Sequence, residues 1–102
     1  AAMIERRAPQ LAMLRQMIAA TPVAGYIACC AALKTLDYFD RLSSLALPVM
    51  FIAGAHDPAV PVCSMREMHD RVWGSRYVEL PSAHLSNIEC EAAFTAALEA
   101  FL

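Results

Sequence analysis

Two residues draw attention by type and by position. Asp57 lies in Gly54-Ala55-His56-Asp57-Pro58-Ala59-Val60-Pro61, and His84 lies in Pro81-Ser82-Ala83-His84-Leu85-Ser86-Asn87. The first loop directly follows the apolar run Val49-Met50-Phe51-Ile52-Ala53, and the second follows the strand-like Arg76-Tyr77-Val78-Glu79-Leu80. A carboxylate hydrogen-bonded to an imidazole fixes the ring's tautomer and stabilises the imidazolium that forms when the ring accepts a proton. Asp57 and His84 are therefore the candidate catalytic acid and base of a nucleophilic reaction. A purely local account is also open. In it Asp57 makes a turn before Pro58 and His84 is an ordinary loop histidine, since Asp-Pro turns are common.

The other reactive side chains read more plainly. His56 is expected to be an exposed turn histidine, and Cys63, although close to the same loop, is inert unless its pKa is lowered. His56, Cys63, His69 and Cys90 are metal-ligand types, but neither C-x2-C nor H-x3-H spacing occurs. No metal and no cofactor is therefore expected. Cys29 and Cys30 are adjacent, which suits a disulfide framework poorly, so all four cysteines read as reduced, semi-buried core residues. Ser43, Ser44, Ser64, Ser75, Ser82 and Ser86 read as turn and cap residues. Ser86-Asn87-Ile88-Glu89 matches the S-x-x-E capping box, with Leu85 as a hydrophobic staple. Met65 and Met68 read as core filler, and Trp73 as packing at a helix end.

The elements that must position Asp57 and His84 follow from periodicity and punctuation. Pro9 to Ala20 puts Leu11, Leu14, Met17 and Ile18 on one helical stripe, with Pro9 tolerated in the first turn. Thr21-Pro22 reads as an N-cap and first helical position of a second helix, whose apolar residues are Val23, Tyr26, Ile27, Cys30 and Leu33. A short irregular or helical piece, 37–45, leads to Pro48. Val49 to Ala53 is a continuous apolar run between Pro48 and Gly54, the pattern of a strand covered on both faces of a parallel sheet. A helix from about Ser64 to Trp73 follows, with Met65, Met68 and Val72 inward and Gly74 as its stop. Arg76 to Leu80 is a second strand, ended by Pro81. Phe94, Ala97, Leu98 and Phe101 mark a last helix.

Strand, helix and strand within about thirty residues form a βαβ unit with parallel strands. In open parallel sheets reactive groups gather beyond the C-terminal strand ends, which is where both Asp57 and His84 fall. Two strands alone cannot cover their own faces and edges, so the unit is expected to extend a larger sheet. The division expected is a helical segment, 1–46, followed by a βαβα segment, 47–102.

An acid and then a histidine, each after a strand, is the chain order of α/β-hydrolases. Gly54-x-x-Asp57-x-x-x-Pro61 and Ala83-His84-Leu85-Ser86-Asn87-Ile88-Glu89 resemble the end of the 3-oxoadipate enol-lactonase family within that fold. Gly25-Tyr26-Ile27-Ala28-Cys29-Cys30-Ala31-Ala32-Leu33 resembles the helix where that family's cap rejoins the main body. Glu91 stands where such families often carry proline. The resemblance implies the C-terminal part of an α/β-hydrolase fold, with two parallel strands, flanking helices and two preceding helices from the cap/body junction. It further implies hydrolysis of a small carboxylated enol-lactone in aromatic catabolism, by a Ser-His-Asp triad to which Asp57 and His84 contribute. The serine elbow, G-x-S-x-G, does not occur: Gly25, Gly54 and Gly74 are the only glycines. The N-terminal hydrolase portion bearing the nucleophile is thus an expected partner, and the chain is expected to be inactive alone. Other α/β-hydrolases, such as a carboxylesterase, a dehalogenase or a C–C hydrolase, share these ends and stay open. A parent fused to a decarboxylase of the same pathway is also conceivable.

Composition narrows the partners. A net charge of −2 without any like-charge block points to no nucleic acid and no anionic membrane. The apolar stretch Leu45 to Ala55, broken by Pro48, is too short for a membrane span, and the N-terminus, with Glu5, Arg6 and Arg7, does not resemble a signal peptide. A cytoplasmic location is expected. The chain opens on Ala1 with Met3 two places later, which is expected of a trimmed chain or an internal start. Hydrophobic residues make up 59% against 18% charged, while a domain of ~100 residues buries only about two-thirds of its unfolded surface. A sizeable exposed apolar patch is therefore expected, a contact surface that also fits a self-associating, homo-oligomeric interaction module without catalysis.

Overall fold

The computed structural model describes residues 8–102. They fall into two compact units, one ending at Asp37 and the other spanning Tyr38–Leu102.

The first unit holds two helices, α1 (Ala8–Ala20) and α2 (Val23–Thr35), whose axes bend through 91° at the junction. The break centres on Thr21-Pro22, but not as an N-cap. The Thr21 hydroxyl donates to Met17 O (3.0 Å), closing the end of α1, and Pro22 makes no side-chain cap bond to α2. Exposed carbonyls at the end of α1 need a donor, and a hydroxyl four residues on reaches one. Along α1, Leu11 and Leu14 are half-buried while Met17 and Ile18 are exposed. No residue of α2 is buried, with Tyr26 64% and Ile27 61% exposed, so the stripe assigned to this helix stays exposed among the described residues. Among the described residues no single helix is long and apolar enough to cross a membrane, although this bent pair has the combined length and composition.

The second unit is built on a strand–helix–strand. A 3₁₀ helix, Phe39–Ser44, precedes strand β1 (Met50–Gly54), helix α3 (Val62–Arg71) and strand β2 (Arg76–Leu80); α4 (Ser86–Glu89) and α5 (Glu91–Phe101) follow. β1 and β2 are parallel neighbours in the register Met50↔Arg76 to Gly54↔Leu80. Side chains alternate across a strand, and the contacts show which face is which. Phe51 and Tyr77 meet the His69 ring of α3 at 6.2 and 5.4 Å between centroids, and Glu79 pairs with Arg66 of α3 at 3.0 Å. On the opposite face Arg76 reaches α5, donating to Ala100 O and lying over the Phe101 ring. The sheet therefore has a helix on each side, and α5 opens at Glu91 without a proline.

Several boundaries differ from the periodic reading for local reasons. α3 begins at Val62, two residues early, because Pro61 can serve as its N-cap while its carbonyl accepts from Ser64 and Met65 N–H (3.0 and 3.2 Å). Val72 is the helix cap and not part of the helix. Gly74 adopts φ +74°, a conformation that suits glycine, and turns the chain into β2. Trp73, at this turn, is 98% exposed and does not pack at the helix end. Cys29, Cys30 and Cys63 are exposed and Cys90 half-buried, all unpaired, so three of the four are surface and not core residues. The 3₁₀ helix is held to α3 by Arg71, whose guanidinium lies 4.1 Å from the Phe39 ring centroid and 3.7 Å from Asp40.

Few apolar residues are fully buried: Ala53, Val72 and Leu80 among those described. Ala53 and Leu80 lie at the C-terminal ends of the strands, where the loops that carry Asp57 and His84 begin, and Val72 closes α3 at the other end, ahead of β2.

Candidate active site

The parallel register sets Gly54 beside Leu80, so the chain leaves both strands at the same end. The loops then stay together. Ala55 N donates to Leu80 O (2.8 Å) and His56 N donates to Ser82 O (2.9 Å), continuing the ladder past the strands. Gly54 lies so near this second loop that an added Cβ would meet Ala83 O and, at 2.8 Å, Ser82 O. Only a residue without a side chain permits that crossing.

Across the gap the imidazole of His84 donates through Nδ1 to Asp57 Oδ2 at 2.9 Å. The second carboxylate oxygen is held by its own loop: Ala59 N and Val60 N donate to Oδ1 at 2.8 and 3.2 Å. Both Asp57 oxygens are thus engaged, and the Asp57 side chain is 8% exposed against 61% for His84. The carboxyl of Asp57 is held below its ordinary value of 3.8, chiefly by the His84 hydrogen bond. Partial desolvation opposes the shift, and the Ala59 and Val60 N–H groups and the histidine's charge reinforce it. With Nδ1 committed to the carboxylate, Nε2 is the nitrogen left to exchange a proton. This is the arrangement by which an aspartate orients a general base.

Other groups singled out in the sequence fall differently. His56 is an exposed loop residue whose main chain, not its ring, bridges to Ser82. Ser82 is neither a turn nor a cap residue by its side chain: it is 2% exposed, and its Oγ has no hydrogen-bond partner among the described residues. His69 and Ser75 share a hydrogen bond (2.7 Å) at the far end of α3 and serve the β2 turn. Among the described residues no group of three or more His, Cys, Asp or Glu is placed to hold a metal ion.

The capping box is half-formed. Ser86 makes no cap bond, and Leu85 occupies the N-cap position of α4. Glu89 instead reaches back with both oxygens, accepting from Ala83 N (2.9 Å) and Leu85 N (3.2 Å), one on each side of His84. S-x-x-E was the only signal for this contact, and it cannot tell which N–H groups the carboxylate takes.

No protein-family model matches the chain. It is similar to 3-oxoadipate enol-lactonase 2 of Acinetobacter baylyi, 36% identical over 78 residues, which is 76% of this chain and 29% of that protein. It is 31% identical over 87 residues to 3-oxoadipate enol-lactonase 1 of the same organism, covering 85% of this chain and 33% of that one. The chain thus spans about a third of the length of these relatives. Among solved structures, the enol-lactonase from Burkholderia xenovorans LB400 superposes with a TM-score of 0.94 and 36% identity, over 99% of this chain and 39% of that one. Two parallel strands flanked by helices, with these similarities in fold and sequence, show that the chain belongs to the α/β-hydrolases, as a portion of the fold in the 3-oxoadipate enol-lactonase family.

Proposed function

We propose that this chain supplies the acid, Asp57, and the base, His84, of a Ser-His-Asp triad that opens a small carboxylated enol-lactone. The observation that carries the proposal is the 2.9 Å bond between His84 Nδ1 and Asp57 Oδ2, set at the common C-terminal end of two parallel strands. The likeness to enol-lactonases supports the substrate class. The serine comes from hydrolase sequence outside these 102 residues, which contain no G-x-S-x-G.

In the reaction His84 Nε2 takes the serine proton as Oγ bonds to the lactone carbonyl carbon. Backbone donors of the serine-bearing portion stabilise the oxyanion. The ring C–O bond then breaks, the enol oxygen receives the proton from Nε2, and the enol ketonises. A water molecule next gives a proton to Nε2 while its oxygen bonds to the acyl carbon. Cleavage of the acyl–Oγ bond, with the proton returned to Oγ, releases the oxo acid. Asp57 holds the ring in the required tautomer throughout.

The test is loss of lactone absorbance over time, measured on a protein that unites this chain with its serine-bearing portion. His84→Ala or Asp57→Asn is expected to lower kcat by about 10⁴-fold, and the 102-residue chain by itself is expected to show no turnover. Variants with wild-type kcat, or turnover by the isolated chain, would refute the triad. A second reading, self-association through apolar surface, is favoured by the full exposure of α2 and is tested by mass in solution, as argued below.

A further inference from the structure

His84 is 61% exposed, so its own side chain has little packing to hold it against Asp57. The main chain around it is held more firmly. The peptide unit before Ala83 is fixed twice: its carbonyl, Ser82 O, accepts from His56 N at 2.9 Å, and its N–H donates to Glu89 Oε2 at 2.9 Å. The unit between Ala83 and His84 lies against Gly54 through Ala83 O. The unit after His84 donates its N–H, from Leu85, to Glu89 Oε1 at 3.2 Å. Three consecutive peptide units are therefore constrained, two of them by one carboxylate. Each contact to Glu89 is a hydrogen bond to an ionised acceptor, roughly twice as strong as a neutral one. Glu89 in turn is carried by α4, where its own N–H donates to Leu85 O at 2.8 Å.

We infer that Glu89 is a positioning residue for His84, its two oxygens gripping the backbone on either side of the histidine so that the imidazole is aimed at Asp57. The inference rests on the reading of Asp57 and His84 as acid and base, and it makes the Ser86–Glu89 turn part of the apparatus that orients the base.

The experiment is a carbon-13 NMR titration of the Asp57 side-chain carboxyl in the full 102-residue chain, in wild type, His84→Ala, Glu89→Ala and Glu89→Gln, with thermal melts alongside. In the wild type the His84 bond holds the Asp57 midpoint below 3.8. His84→Ala raises it. Glu89→Ala is expected to reproduce most of that rise, and Glu89→Gln, which keeps one acceptor oxygen, a part of it. The direction is diagnostic: removing a nearby anion by charge alone lowers a carboxyl pKa, so a rise reports the loss of the His84 bond. A Glu89 that served only as a cap would lower the melting temperature and leave the Asp57 midpoint in place. That result overturns the inference, and Glu89→Gln decides the matter if Glu89→Ala does not fold. An Asp57 midpoint unmoved by His84→Ala would overturn the pair itself, and so separates failure of the underlying reading from failure of the role given to Glu89.

Discussion

Asp57 is bound at both oxygens, and its acidity follows from those bonds. Its folded pKa lies below the ordinary 3.8, with the His84 hydrogen bond as the leading cause. A carboxyl that is more acidic in the folded state than in the unfolded chain releases its proton more readily when folded, so it stabilises the fold wherever it is ionised. That contribution is complete above the ordinary value and is lost as pH falls through the lower, folded value. Wild type should therefore lose stability below about pH 4 faster than Asp57→Asn, which has no carboxyl to protonate. Urea melts of both proteins on either side of that pH measure the difference, and parallel losses would contradict it. Asp57 and His84 were legible as strand-end loop residues because one follows an apolar run closed by Gly54 and the other a short strand pattern closed by Pro81. The role of Glu89 was not. A capping-box pattern names the acceptor and leaves its donors unspecified, and the donors here flank a histidine five residues earlier in the chain.

At the scale of elements, the site depends on how closely two loops can approach. Gly54 ends β1 where the His84 loop crosses, and an added Cβ would strike backbone carbonyls that have no flexible end to move. Gly54→Ala should destabilise the protein by about 1–3 kcal/mol, lowering its melting temperature, and should lengthen the Asp57–His84 contact. Calorimetry with the Asp57 titration described above checks both effects, and an unchanged melting temperature would show that the loop yields freely. The strands themselves were readable from Pro48, Gly54, Gly74 and Pro81, all of which act locally. The Thr21-Pro22 junction was misread because the same dipeptide can cap forward or backward, and the open Met17 carbonyl settled the direction. Trp73 misled for a related reason: its place after a helix suggested packing, but Gly74 turns the chain at once into β2, and the ring stands in solvent.

At the scale of the molecule, much apolar surface stays exposed among the described residues. α2 buries none of its residues, and Val23, Tyr26, Ile27 and Leu33 are exposed along it. Apolar area left in water favours association at roughly 25 cal/mol per Å² removed from it. The isolated chain is therefore expected to self-associate, with a sedimentation mass that rises above 11.1 kDa with concentration. Replacing Tyr26 and Ile27 together by serine should weaken that association without moving the Asp57 titration. A wild-type chain that stays monomeric at all concentrations would refute the expectation. The exposed patch was foreseeable from composition alone; its location was not, because an all-round apolar helix has no periodic stripe to distinguish an inward face.

The ladder bonds that run on past β1 and β2 have a consequence for how such an enzyme can be divided. The carboxylate, the imidazole and the residues that align them all lie within one uninterrupted stretch, Met50 to Glu89, joined by neighbouring strands and not by distant parts of the chain. Under the proposed triad, a polypeptide cut between the nucleophile and Met50 keeps the pair together and separates it from the nucleophile as a unit. Two fragments made in this way are then expected to hydrolyse only when they reassemble, so such a division would act as a switch that reports whether two fused proteins meet.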